Sequence, residues 1–233
     1  MANHFFSLVL GFLLPCTLVF GQKNEGLTEK YRENIPLDQE IVSGGYFVDP
    51  PKTYEGHPYF FTKNFETSEI TVNGLTYKEV PLLYNIWKDE VLTFQPVHKQ
   101  KILIRADKVD QFILGLEKPV CFIRVHENSR YNHHGNGIYE LFVEGKANVL
   151  IKHRKQTKSK REVGIYSHEF YEIEDYFIQK PGGIIQVTSK KQAIEFLGLD
   201  KKEVKRMSKG PKLHFRSDKL GYLAFLVSLY NKQ

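Results

Sequence analysis

Cysteine is scarce. The 233-residue chain carries two, Cys16 and Cys121, and the first lies in an N-terminal stretch expected to be removed. A single remaining cysteine closes no internal disulfide, so a small disulfide-stapled scaffold is excluded. Val120 and Phe122-Ile123 flank Cys121, which reads as a buried strand thiol rather than a nucleophile, because no electropositive loop adjoins it. Also lacking is an uninterrupted apolar run of about 20 residues, the length that spans a bilayer. The longest, from Phe5 to Phe20, is broken by Pro15.

Catalytic signatures are equally thin. No HExxH spacing is present. Gly182-Gly183 follows a strand but opens another strand, and Gly135-Asn136-Gly137 has no helix after it, so neither builds a phosphate or dinucleotide loop. These absences leave no motif-based case for an enzyme and imply no cofactor.

What is present begins with export. The Phe5–Phe20 segment has no charge, Val19 and Gly21 suit positions −3 and −1 of a signal-peptidase site, and the chain turns polar at Gln22. Residues 1–21 therefore read as a secretory signal peptide. Cys16 does not read as a lipidation site, because Pro15 precedes it and the apolar run continues beyond it. About 212 residues remain, enough to bury a core without staples. The net charge of +6 and pI near 9.1 belong wholly to them, since residues 1–21 hold no Lys, Arg, Asp or Glu. In an exported protein such a surface suits an anionic lipid, a glycan or an acidic envelope protein, and not nucleic acid.

Residues 22–55 read as an extended arm, with breakers at Gly44-Gly45 and Pro50-Pro51. Residues 56–188 read as β-rich. Asn73-Gly74 between two β-prone runs predicts a type I′ hairpin. Further strands are expected over 75–80, 81–86, 91–94, 102–105, 111–114, 120–125, 137–143 and 147–152, and, after a basic loop, over 166–171, 175–179 and 183–187. With only tight turns between them, they predict an antiparallel β-meander, curled into a sandwich or half-barrel. In residues 189–233 the period changes: Ser189 and Gly198 bracket one helix, Asp200 caps a second, and Ser217 or Asp218 opens a third. The class is α+β, mostly β, with short C-terminal helices packed on the sheet.

The stretch from Val80 to Ile86 with Asp89-Glu90-Val91-Leu92, the step Gly74-Leu-Thr-Tyr77 into Leu83-Tyr84-Asn85, and the ending Leu229-Tyr230-Asn231 together resemble uncharacterised exported β-rich proteins of Gram-negative bacteria. The resemblance covers most of residues 56–233. It implies export and this fold, and no activity.

Four groups compete as sites. Lys152, Arg154, Lys155, Lys158, Lys160 and Arg161, read as a hairpin loop, are the candidate anion or ligand site. A second basic set, Lys201, Lys202, Lys205, Arg206, Lys209 and Lys212, reads mainly as a solvated helix face. His126, His133 and His134 offer imidazoles for a metal, but adjacent strand residues point to opposite faces, so an irregular loop is needed to converge them. Glu169, Glu172, Glu174 and Asp175 read as solvent-facing strand carboxylates opposite the basic residues. The function expected is a non-catalytic binding or interaction module of the cell envelope, periplasmic or outer-membrane associated. The alternatives are a periplasmic carrier of a lipid or other apolar ligand, and a hydrolase using the histidine loop or the 172–175 carboxylates. Oligomeric state is not legible.

Overall fold

The structure is a computed structural model and describes residues 44–95, 99–160, 167–208 and 213–233. The expected signal segment, the start of the expected arm, Arg161, Lys209 and Lys212 fall outside them.

Among the described residues eleven strands form one sheet, and helices follow. The strands are β1 (Tyr54–Glu55), β2 (Glu66–Val72), β3 (Leu75–Asn85), β4 (Glu90–Gln95), β5 (Gln100–Ile104), β6 (Val109–Leu114), β7 (Val120–Arg124), β8 (Ile138–Val143), β9 (Asn148–Ser159), β10 (His168–Lys180) and β11 (Gly183–Gln186). The helices are α1 (Lys190–Leu197), α2 (Lys201–Ser208) and α3 (Lys219–Asn231). The order is β1-β10-β9-β8-β7-β6-β2-β3-β4-β5, with β11 also on β10. The class expected from the sequence is thus the one observed, with two refinements. β6 returns beside β2 instead of β5, and β1 runs parallel to β10. No described helix is long and apolar enough to cross a membrane.

Three expected boundaries are corrected. The runs 75–80 and 81–86 are one strand, because a bulge lets the chain bend and continue. There the register shifts between Ser68 and Ile70 of β2, and Glu79 takes a positive φ of 57°. Pro81 sits just before the β4 ladder, which starts at Leu82↔Thr93, so its missing N–H costs no bond there. The basic loop is no loop as far as Ser159: Lys152, Arg154, Lys155 and Lys158 lie on β9. The runs 166–171 and 175–179 become one strand, β10, starting at His168.

The sheet curls without closing. Lys155, in the middle of β9, donates its backbone N–H to Ile86 O at the end of β3 (3.1 Å), although four strands separate β9 from β3 in the sheet. Residues 45–55 tie both edges. Phe47 N donates to Lys101 O and Leu103 N to Gly45 O, each at 3.0 Å, while β1 pairs with β10. Inside the curl an aromatic group packs with zero or near-zero exposure: Phe60, Tyr84, Phe112 and Phe122. Phe112 and Phe122 stack at 4.9 Å, and Phe60 meets Phe122 edge-on at 5.2 Å, geometries that suit ring quadrupoles.

Local signals hold where the structure depends on them. Asn73 and Gly74 both take positive φ (50° and 74°), as a type I′ turn requires. Ser189 caps α1 by accepting from Gln192 N, and Gly198 ends it in the left-handed region. Asp218 caps α3 by accepting from Gly221 N. The helices bury Ala193, Ile194, Tyr222, Leu223, Leu226 and Val227 against Val149 and Ile178 of the sheet. Asn231 locks the end of α3 down. Its Oδ1 accepts from Ala147 N (2.8 Å) and its Nδ2 donates to Ala147 O (3.1 Å).

Asn231→Ala leaves both Ala147 backbone groups without these partners. We expect a loss of about 1–3 kcal/mol of stability, measured by urea denaturation, whereas Lys232→Ala stays within about 0.5 kcal/mol of the parent.

Candidate functional site

β9 and β10 pair without a slip from His168↔Ser159 to Gln179↔Asn148. Because side chains alternate along a strand, this ribbon sorts its ionisable residues onto two faces. Lys152, Arg154, Gln156 and Lys158 share one face with Asp175, Tyr171 and Glu169; His153 and Lys155 share the other with Glu172, Glu174 and Tyr176.

The first face is built on a buried ion pair. Lys152 Nζ lies 2.6 Å from Asp89 Oδ2, with side-chain exposures of 2% and 8%. It also donates to Ile138 O (2.8 Å) and stands 4.9 Å over the Tyr139 ring. Asp89 Oδ1 accepts from Tyr84 OH (2.6 Å). Burial pulls the Lys152 ammonium below its ordinary pKa, and Asp89 counters that pull. The histidine loop seals this pair. Asn136 Nδ2 donates to Asp89 O (2.7 Å), and a Cβ at Gly135 (φ 59°) would come within 2.7 Å of Asp89 Oδ2, so glycine is required there. Beside it Arg154 Nε meets Asp175 Oδ2 at 2.7 Å, and Asp175 also accepts from Tyr131 OH (2.6 Å) and Gln186 Nε2 (3.0 Å). Burial raises the Asp175 carboxyl, but the Tyr131 and Arg154 hydrogen bonds outweigh it and leave the pKa below the usual carboxylate value.

The expected anion residues among the described ones are therefore charge-compensated within the fold. Lys152 pairs with Asp89, Arg154 with Asp175, Lys158 with Glu169 (2.6 Å), and Lys160 with Glu55 and Glu169. Lys155 Nζ donates to Tyr59 O (2.6 Å) and stands 3.9 Å from Glu172 Oε2. Lys152, Arg154 and Lys155 do meet His133 around one cleft of about 350 Å³, together with Trp87 and Lys88. The three candidate histidines do not converge. His126 and His133 are exposed, and His134 Nδ1 lies 2.9 Å from Tyr139 OH.

The second face holds a residue that the sequence reading passed over. His153 is 4% exposed, and its Nε2 lies 2.6 Å from Glu140 Oε2 on β8. Its Nδ1 is buried without a hydrogen-bond partner and stands 3.6 Å from Oε1 of both Glu172 and Glu174. Phe60 packs on the ring at 4.7 Å. Burial opposes an imidazolium, but the Glu140 hydrogen bond and the Glu172 and Glu174 carboxylates prevail and lift the pKa to about 9. Among the described residues, His153, Glu172 and Glu174 are the one group whose ligand atoms gather closely enough to hold a metal ion. Cys121 lies on β7, half-buried, and burial with Glu144 and Glu140 pushes its thiol pKa up, which favours the unreactive form.

Next to this face opens a groove of about 710 Å³, whose lining includes Tyr54, His57, Tyr59, Phe61, Lys63 and Phe170. Tyr54 and Phe170 contact each other at 5.7 Å. Tyr59 OH donates to Asp49 and accepts from Lys101 Nζ (2.9 Å). Phe61 is 74% exposed, with its ring 4.0 Å from that of Phe60, and like Asn73, Glu79, Asp89 and Lys99 it takes a positive φ, here 44°, a conformation costly for a bulky residue.

No protein-family model, curated protein or solved structure matches the chain.

Two outcomes are expected here. Lys152→Met strands the Asp89 carboxylate and costs about 3–5 kcal/mol, while Asp89→Asn/Lys152→Met regains most of it; a double-mutant cycle in urea reads both. For His153 the folded pKa lies above the unfolded value of about 6.5. Its stabilisation is thus full below pH 6.5 and is lost as pH rises through about 9. Chelator-treated protein denatured at pH 6 and pH 9.5 should show that loss, and His153→Gln should flatten it.

Proposed function

We propose that this is a non-catalytic binding module, exported to the cell envelope, that holds an acidic saccharide in the aromatic groove beside β10. The observation that carries the reading is Phe61, an exposed aromatic held in an unfavourable backbone conformation at the rim of an open groove. Strained backbone of this kind clusters at active sites, ligand clamps and switch regions.

The lining suits that ligand class. Aromatic faces such as Tyr54 and Phe170 stack on the C–H face of a sugar ring, and a few placed polar groups orient it. Lys52, Lys63 and Lys101 stand against one carboxylate, Asp49, so the groove carries a positive excess that favours uronic-acid or similarly acidic units. The uncharged N-terminal stretch ending at Gly21 supports export. A binding role accords with the compensated cations of β9, held by carboxylates or a backbone carbonyl. The helices meet the sheet through side chains of almost no exposure, which favours a surface groove over a ligand held beneath a helical lid.

Titration of the full chain with an acidic oligosaccharide and its neutral counterpart, followed by calorimetry, tests the reading. The acidic form should bind more tightly, and more weakly as salt rises. Phe61→Ala should weaken binding at least about tenfold. Phe61→Gly should weaken it similarly while keeping stability within about 1 kcal/mol of the parent, because glycine accepts the positive φ. Equal affinity for both saccharides, or unchanged affinity in both variants, would sink the proposal.

A further inference from the structure

The geometry points to a divalent metal site of the zinc class formed by His153 Nδ1, Glu172 Oε1 and Glu174 Oε1 on the second face of the β9–β10 ribbon.

In each of these side chains the other polar atom is held from outside the cluster. His153 Nε2 is taken by Glu140 at 2.6 Å. Glu172 Oε2 faces Lys155 Nζ at 3.9 Å, and Lys155 is itself anchored on Tyr59 O. Glu174 Oε2 accepts a hydrogen bond from Tyr176 OH. Each of the three groups is thus oriented from outside, and the remaining atom of each turns inward. All three ligand atoms lie within 4.8 Å of one another, with Nδ1 at 3.6 Å from each carboxylate oxygen. That is too long for a hydrogen bond. It is close to the roughly 3.4 Å edge of a tetrahedron with metal–ligand bonds of about 2.1 Å.

The independent observation is His153 itself. It is a nearly fully buried imidazole whose Nδ1 lacks a hydrogen-bond partner and is aimed between the two carboxylates. A carboxylate on the far nitrogen of a ligating histidine is the usual outer support of such sites: it fixes the tautomer and raises ligand basicity. Here Glu140 occupies that place. The scaffold is rigid, because Glu174 lies directly opposite His153 in register and Glu172 is two residues away on the same face.

One nitrogen and two carboxylate oxygens match zinc and its neighbours rather than calcium, which takes six to eight oxygens. The two carboxylates balance a 2+ ion. Three protein ligands leave a position open on the exposed side, where Glu172 and Glu174 are 35% and 42% accessible.

The test uses the full chain stripped with chelator and titrated with Zn²⁺ by calorimetry, with Co²⁺ as a spectroscopic probe. The expected result is one equivalent bound and a visible Co²⁺ absorption of low-coordinate type. Glu172→Gln and Glu174→Gln, at accessible positions that keep the fold by circular dichroism, should each weaken Zn²⁺ at least about tenfold, and Glu140→Gln by about 10–100-fold. His126→Ala should leave affinity unchanged. Zn²⁺ binding that is absent in the folded parent, or equally tight in Glu172→Gln/Glu174→Gln, overturns the assignment.

Discussion

The unbroken pairing of β9 with β10 is the constraint from which the rest of this structure follows. It converts a run of mixed charges into two ordered faces, since successive side chains must point to opposite sides of the sheet. One face then turns Lys152 and Arg154 toward Asp89, Asp175 and two tyrosines. The other turns His153 toward three carboxylates. A slip of one residue would exchange the faces and strand every one of these charges, so the electrostatics themselves specify the register.

The same pairing explains how so basic a chain keeps so many cations in and around its sheet. Burying an ammonium is costly unless a carboxylate and further hydrogen bonds replace its water. Lys152 has both in Asp89 and Ile138 O. The loop bearing His133 and His134 contributes by covering that pair: Gly135 leaves room for Asp89, and Asn136 bonds to its backbone. Its histidines are incidental to this task.

The curl of the sheet has a separate consequence. By bringing β9 against the end of β3 and tying both edges with residues 45–55, it creates a groove walled by Tyr54, Tyr59 and Phe170 with Phe61 at its rim. Tyr54, Tyr59 and Phe61 come from one short stretch, but Phe170 is more than a hundred residues away, and none belongs to a motif. The groove and the His153 cluster lie on adjoining parts of the structure, joined through Lys155, which reaches both Tyr59 and Glu172.

Features governed by neighbours along the chain were determined by the sequence itself. These are the Asn73-Gly74 turn, the Ser189, Asp200 and Asp218 caps, the Gly198 stop, the β-rich class and the strands around 91–94, 102–104, 111–114, 120–124, 138–143 and 148–152. Each depends on φ preference, local hydrogen bonding or side-chain periodicity, which a short window contains. Only the tertiary structure decided that residues 152–159 continue a strand. Their charges resemble a loop until Glu169, Glu172 and Asp175 arrive as cross-strand partners. It alone brought Asp89 to Lys152, and Glu140, Glu172 and Glu174 to His153. The physical reason is that register and curl are set by contacts between distant segments. A carboxylate i, i+2 from another on one strand says nothing of the imidazole opposite until the pairing is formed.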